Sequence, residues 1–281
     1  MEPVCDLHVH STFSDGTLTP AELVEEALRR GLSAVALCDH NTVAGLPDFL
    51  AAAEGTELEA VPGIEFSCEY KDGELHVLGL FIEPEHYKEI TELLEDFRRR
   101  KELSNLRLIE TLGEAGYQLD YQAIKARTPG GQVNRAHIAA ALMEAGYTSS
   151  VKEGFKALLA PQHGYYSPPK RMSAYDAVRF IKSIGAVAVL AHPFLNLTEE
   201  GLREFLPAAV ACGLDGMETM YSKFDEEETA LAAAIADEFG LKHSGGSDFH
   251  GATKPDIAMG CGKGDLYIPL KILENLKSAK Q

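Results

Sequence analysis

Cysteine is sparse in this sequence of 281 residues, with only Cys5, Cys38, Cys68, Cys212 and Cys261 and no Cys-x-x-Cys spacing. An odd, scattered set argues against a disulfide framework and against a zinc ribbon. Cys5, Cys38 and Cys68 fall in apolar runs and read as small buried hydrophobes. No apolar stretch approaches the roughly 20 residues that span a bilayer. The N-terminus lacks a basic segment followed by an apolar one. A cytoplasmic location without membrane contact is therefore the expectation. Basic charge is also short, since 26 Lys and Arg face 43 Asp and Glu for a net charge of −17. Such a surface repels long polyanions and argues against duplex nucleic acid. It leaves room for a small phosphorylated substrate, because bound cations can invert the field locally.

The chain has enough apolar residues, 45%, to bury a real core. Strand and helix patterns alternate at first: strands over Val4–Leu7, Ala34–Leu37 and Leu58–Val61, with helices between them. The first helix is announced by Thr19-Pro20-Ala21-Glu22 and stopped by Gly31. Ile64–Tyr70 and Leu75–Ile82 flank Lys71-Asp72-Gly73-Glu74, a hairpin signal. From Pro84 to about residue 160 the pattern is helical, broken at Thr128-Pro129-Gly130-Gly131. Strand–helix alternation then resumes, with strands at Ala186–Leu190, Gly216–Thr219 and Leu241–Gly245. The expected class is α/β: a parallel sheet, open or closed into a barrel, formed by residues 1–83 and 164–281. A helical subdomain, residues 84–163, is inserted into it.

The histidines carry the chemistry. His8, His10, His40, His76, His192 and His250 each follow or end an apolar strand, where parallel α/β folds build their sites. His8 and His10 stand two apart and share a strand face, as do Asp248 and His250. Asp15 lies in a turn-forming loop. Glu65 sits among apolar strand residues, an expensive place for an unpaired carboxylate. These nine residues, six imidazoles and three carboxylates, suit Zn, Mn or Fe. They are too many for one ion, so two or three divalent ions are expected. Asp39 beside His40 reads as the residue that orients it. His86 and His243 read as structural or surface residues, and His163 lies in a loop.

The ordered set His8-x-His10, Asp15, Asp39-His40, Pro62-Gly63-Ile64-Glu65, His76, His192-Pro193 and Ser247-Asp248-x-His250 resembles the polymerase and histidinol phosphatase (PHP) family, across nearly the whole chain. Within it the chain looks most like the stand-alone phosphoesterases related to nucleoside 3′,5′-bisphosphate phosphatase, some of which trim short RNA from the 5′ end. The helical insertion, Asn134–Ala139 and Gly164-Tyr165-Tyr166-Ser167-Pro168-Pro169 carry that closer likeness. The resemblance implies a distorted (β/α)7 barrel with a trinuclear site. One metal would take His8, His10, Glu65 and Asp248. A second would take Asp15, His40 and His250, and a third Glu65, His76 and His192. Many members of the family carry histidine where Asp15 stands.

The implied activity is hydrolysis of a phosphomonoester of a 3′,5′-bisphosphonucleotide, or of the end of a short single-stranded oligonucleotide. The attacking group would be a metal-bound hydroxide in line with the leaving group. Asp39, Glu65 and His192 are expected to carry catalysis. Arg135 and His137 look like the family's phosphate contacts, and Lys170 with Arg171 would line the same mouth. Three rival readings are a histidinol-phosphate phosphatase, an amidohydrolase, and a catalytically silent metal-binding regulatory module.

Overall fold

The computed structural model describes residues 2–71, 73–128, 133–169 and 171–280. Strand β1 (Cys5–Val9) leads to helix α1 (Pro20–Arg29). Thr19 caps α1: its hydroxyl accepts from the Glu22 N–H while the Glu22 carboxylate returns to the Thr19 N–H. Strand β2 (Ala34–Leu37) and helix α2 (Leu46–Ala53) follow. The sequence suggests two strands on either side of Pro62-Gly63, but the chain runs through them as one, β3 (Glu59–Tyr70). Its first four residues pair parallel with β2 and the rest pair antiparallel with β4 (Gly73–Leu80). Pro62, which has no N–H to give, stands where the strand changes partner.

Helices α3 (Tyr87–Glu114), α4 (Tyr121–Arg127), α5 (Arg135–Glu144) and α6 (Val151–Gly154) come next. Helix α7 (Ala174–Ser183), β5 (Val187–Leu190), α8 (Glu199–Ala211), β6 (Gly216–Tyr221), α9 (Glu226–Glu238) and β7 (Lys242–Gly246) restore the alternation. Helix α10 (Leu270–Lys277), not anticipated from the sequence, ends the chain's regular structure.

The strands form one sheet in the order β1 to β7. Six run parallel and β4 runs against both its neighbours. The sheet is nearly closed into a barrel, because Val9 bridges Phe249 just beyond β7. The Asp248 N–H donates to the His8 carbonyl at 2.9 Å and the His10 N–H to the Phe249 carbonyl at 2.9 Å. A Cβ on Gly246 would lie 2.2 Å from the His8 Cβ, so only glycine permits this approach. At the opposite end, Leu273 and Leu276 of α10 pack with Cys5, Leu7, Ala36, Leu78 and Val187 in one apolar cluster.

The chain divides into two compact units, residues 1–91 with 172–281, and residues 92–171. The division falls inside α3 and after Arg171, later than the expected 83/84 and 163/164, and Pro84 opens a short turn that leads directly into α3. The second unit has its own core, including Leu108, Leu112, Ile138, Leu142 and Leu159. No helix among the described residues is long and apolar enough to cross a membrane.

Candidate metal centre

Parallel strands bring their carboxyl ends to one rim, and the reversed β4 brings its beginning there. This corrects the expectation that His76 ends its strand: it is the fourth residue of β4, and its carbonyl accepts from the Ala191 N–H just after β5. The rim holds Glu65 at its centre, fully buried. Its Oε1 lies 2.7 Å from His76 Nδ1 and 3.0 Å from His192 Nε2. Its Oε2 lies 3.0 Å from His40 Nδ1 and 3.2 Å from both His8 Nε2 and His10 Nε2. Asp248 Oδ1 is 3.3 Å from His10 Nε2 and 3.4 Å from His250 Nδ1. Asp15 Oδ1 is 3.1 Å from His250 Nε2, and its other oxygen is 3.9 Å from His40 Nε2. The structure thus brings all nine sequence-predicted groups together.

Their grouping is less partitioned than the resemblance implied. His10, Asp15, His40 and His250 offer ligand atoms all within 4.8 Å of one another; so do His8, His10 and Glu65, and likewise His40, Glu65 and His76. His10 and His40 each stand in two groups. The chemistry of this set fits divalent cations. His8 Nε2 and His10 Nε2 face each other at 3.0 Å beside a carboxylate. Glu65 Oε2, His40 Nδ1 and His192 Nδ1 are buried without a hydrogen bond.

The electrostatics follow from the crowding. Burial alone would raise the Glu65 carboxyl, but His8, His40 and His76 hold it well below its ordinary value. Burial lowers His40 to about 4 despite Glu65. His76 goes the other way, to about 10, because Glu65 outweighs its burial. Asp248, though buried, is held low by His10 and His8. The backbone is strained at the same rim: Asn41, His192 and Asp248 have φ of 50°, 26° and 57°.

Asp39 needs a correction. Its carboxylate turns to the loop after β1 rather than to the His40 ring. Oδ1 accepts from the Ser11 N–H at 2.8 Å and the Ser14 hydroxyl at 2.6 Å, and Oδ2 from the Ser11 hydroxyl at 2.6 Å. It ties down the loop that carries Asp15. Sequence reasoning missed three residues. Glu218, buried on β6, accepts from His8 Nδ1 at 2.9 Å and from the His192 N–H at 2.6 Å. Tyr221 and Lys254 donate to Asp248 Oδ2 at 2.8 Å and 2.7 Å. Glu218 had the same signal as Glu65, a lone carboxylate in an apolar strand. Lys254 and Tyr221 had none.

In the second unit, the Arg135 guanidinium lies 4.6 Å from the Tyr166 ring centre and 5.8 Å from that of Phe155. His137 Nδ1 accepts from the Asn134 N–H, so one of its nitrogens closes a capping box at the start of α5. Lys170 lies outside the described residues, as do Pro129, Gly130 and Gly131. His163 Nε2 donates to the Lys156 carbonyl at 2.8 Å. His243 bonds Thr219 and Asp237, and His86 pairs with Glu85 and Glu89.

A nearly closed seven-stranded barrel with imidazoles and carboxylates converging on its rim defines a metal-dependent hydrolase class. The PHP domain family profile matches residues 6–160, and the chain belongs to that family. It is a hydrolase acting on phosphoester bonds. The chain is 34% identical to a 5′-3′ exoribonuclease of Haemophilus influenzae, over 87% of this chain and 89% of that protein. It is 33% identical to a phosphoribosyl 1,2-cyclic phosphate 1,2-diphosphodiesterase of Eggerthella lenta, over 88% of this chain and 94% of that one. A 3′,5′-nucleoside bisphosphate phosphatase of Chromobacterium violaceum is 29% identical, over 87% and 86%. A crystal structure from Bifidobacterium adolescentis, assigned as a metal-dependent phosphoesterase, superposes with a TM-score of 0.72. It is 28% identical and covers 100% of this chain and 98% of that one.

Proposed function

We propose that this protein hydrolyses a phosphoester of a small nucleotide, the phosphomonoester of a 3′,5′-bisphosphonucleotide or the end of a short single-stranded oligonucleotide, using two or three divalent ions of Mn, Fe or Zn. The observation that carries it is Glu65, whose two oxygens face five imidazoles within 3.2 Å. In this reading His8, His10, Glu65 and Asp248 hold one ion, Asp15, His40 and His250 another, and Glu65, His76 and His192 a third. His10 and His40 lie close enough to a second group to be shared. When bound, such ions lower the pKa of water and neutralise charge on phosphoryl oxygens.

The chain's own residues supply the rest. Asp248 presents Oδ1 to the cluster while Tyr221 and Lys254 occupy Oδ2. Asp39 acts through the Ser11–Ser14 loop and positions Asp15. Arg135, with His137 and Lys170, is assigned to a substrate phosphate, for which a planar guanidinium stacked on an aromatic ring is well prepared. The likeness to an exoribonuclease and to a nucleoside bisphosphate phosphatase favours nucleotide substrates. A small phosphate ester is also what a surface of charge −17 admits most readily.

A panel assay that reads both phosphate and nucleoside monophosphate release tests this. Mn-loaded protein is offered a 3′,5′-bisphosphonucleotide, a 5′-phosphorylated oligonucleotide, histidinol phosphate and a cyclic phosphoribosyl phosphate. The highest kcat/KM is expected on one of the first two. Preference for histidinol phosphate or the cyclic ester, or no turnover on any of them, overturns the nucleotide reading.

A further inference from the structure

Glu218 is a fully buried carboxylate in the strand Gly216-Met-Glu-Thr-Met-Tyr, and none of the nine clustered groups explains its presence. Both its oxygens are spoken for, each by a different part of the rim. Oε1 faces His8 Nδ1 at 2.9 Å, and Oε2 accepts the His192 backbone N–H at 2.6 Å. The first contact decides which nitrogen of His8 carries the proton. A carboxylate only accepts, so Nδ1 holds a hydrogen, and Nε2 is left as the ring nitrogen whose lone pair a cation can take. Nε2 is the atom that points into the cluster, 3.2 Å from Glu65 Oε2. The second contact pins a residue in an unfavourable backbone conformation, since His192 has φ 26° and ψ 60°. In that conformation its Nε2 lies 3.0 Å from Glu65 Oε1.

We propose that Glu218 is a positioning residue for the metal centre: one carboxylate fixes the His8 tautomer and the His192 backbone, and so aims ligands from β1 and β5 at the two oxygens of Glu65. The proposal rests on the metal reading given above. It explains why a charge is buried on β6, a strand that supplies none of the nine groups. Glutamine has the same shape but one acceptor. In Glu218→Gln either the His192 N–H or His8 Nδ1 must face an amide N–H, and the second case moves the His8 proton to Nε2 and removes its lone pair from the cluster.

The test is zinc binding by the full chain, wild type against Glu218→Gln, with histidine-labelled nitrogen NMR of both. Wild type is expected to show a proton on His8 Nδ1 and zinc on Nε2. The variant is expected to bind zinc about 10–100-fold more weakly and to lose that pattern, while the metal-free circular dichroism spectrum is unchanged. Zinc affinity and a His8 signature equal to wild type in the variant would overturn the assignment alone. A wild-type chain that takes up no zinc would instead overturn the metal reading on which it rests. Should the variant not fold, the wild-type spectrum still decides, because zinc on His8 Nδ1 contradicts the proposal.

Discussion

Glu65 and His76 meet across the β3–β4 hairpin as a diagonal pair. Glu65 stands opposite Leu78 in the register, two residues along from His76, and its Oε1 lies 2.7 Å from His76 Nδ1. The antiparallel turn of a single strand thus places an imidazole beside a carboxylate that the parallel strands surround from the other side. Removing Glu65 should then remove the centre. Glu65→Ala is expected to lose bound metal, measured by plasma mass spectrometry. Phosphate release is expected to fall by more than the roughly 100-fold that loss of an outer partner costs. Stoichiometric metal in the variant would mean that the imidazoles suffice without it.

Metal uptake should release protons. His76 is raised to about 10 by Glu65 against its burial, so at neutral pH its ring carries a proton that a cation must displace. His8 and His10 are raised as well, burial opposing and neighbouring carboxylates winning. His40, lowered to about 4 by burial, is already neutral and contributes none. Apparent affinity should therefore rise with pH across the neutral range. Titration calorimetry in two buffers of different ionisation enthalpy should show a heat that depends on the buffer. A buffer-independent heat would contradict the prediction.

Asp6 should matter for stability. It is fully buried, and its Oδ1 accepts the Ser247 N–H at 2.8 Å and the His8 N–H at 3.3 Å, while Oδ2 accepts the Gly260 N–H at 2.7 Å. These bonds staple β1 to the segment after β7 where the barrel closes. Asp6→Asn turns one acceptor into a donor facing a buried N–H. The expected cost is about 1–3 kcal/mol, seen as a lower denaturation midpoint at unchanged slope. A midpoint equal to wild type would mean the seam relaxes around the amide.

Arg135 is the substrate-side prediction. Arg135→Ala removes a guanidinium stacked on Tyr166. It should raise KM for a bisphosphorylated nucleotide more than it lowers kcat, the mark of lost ground-state binding. An unchanged KM would take Arg135 out of the substrate site.

Much of the site is legible in the sequence because its groups come at strand ends in short spacings. His8-x-His10 and Asp248-x-His250 announce themselves by alternation, and Glu65 by its cost in an apolar strand. Glu218 carries the same cost in an apolar strand, but that signal alone does not say which groups it faces. Its meaning appears only when the sheet curls round, with β6 next to β5 and one strand away from β1, so that His192 and His8 both reach it. Sequence adjacency of Asp39 to His40 does not reveal its contacts: beyond the end of β2 its carboxylate takes the Ser11 and Ser14 donors of a loop distant in sequence. The fold was readable to the level of alternating units. The unbroken β3 was not, because Pro62-Gly63 is turn chemistry that two successive partner strands override. Helix α10 lacks a side-chain cap, so its start carries no signal.

The most direct test of the central claim is activity against metal content in one preparation. Protein stripped by chelation should hold no transition metal and release no phosphate from a 3′,5′-bisphosphonucleotide. Adding Mn should restore turnover as two to three ions bind per chain. Undiminished turnover in the stripped protein would contradict the account.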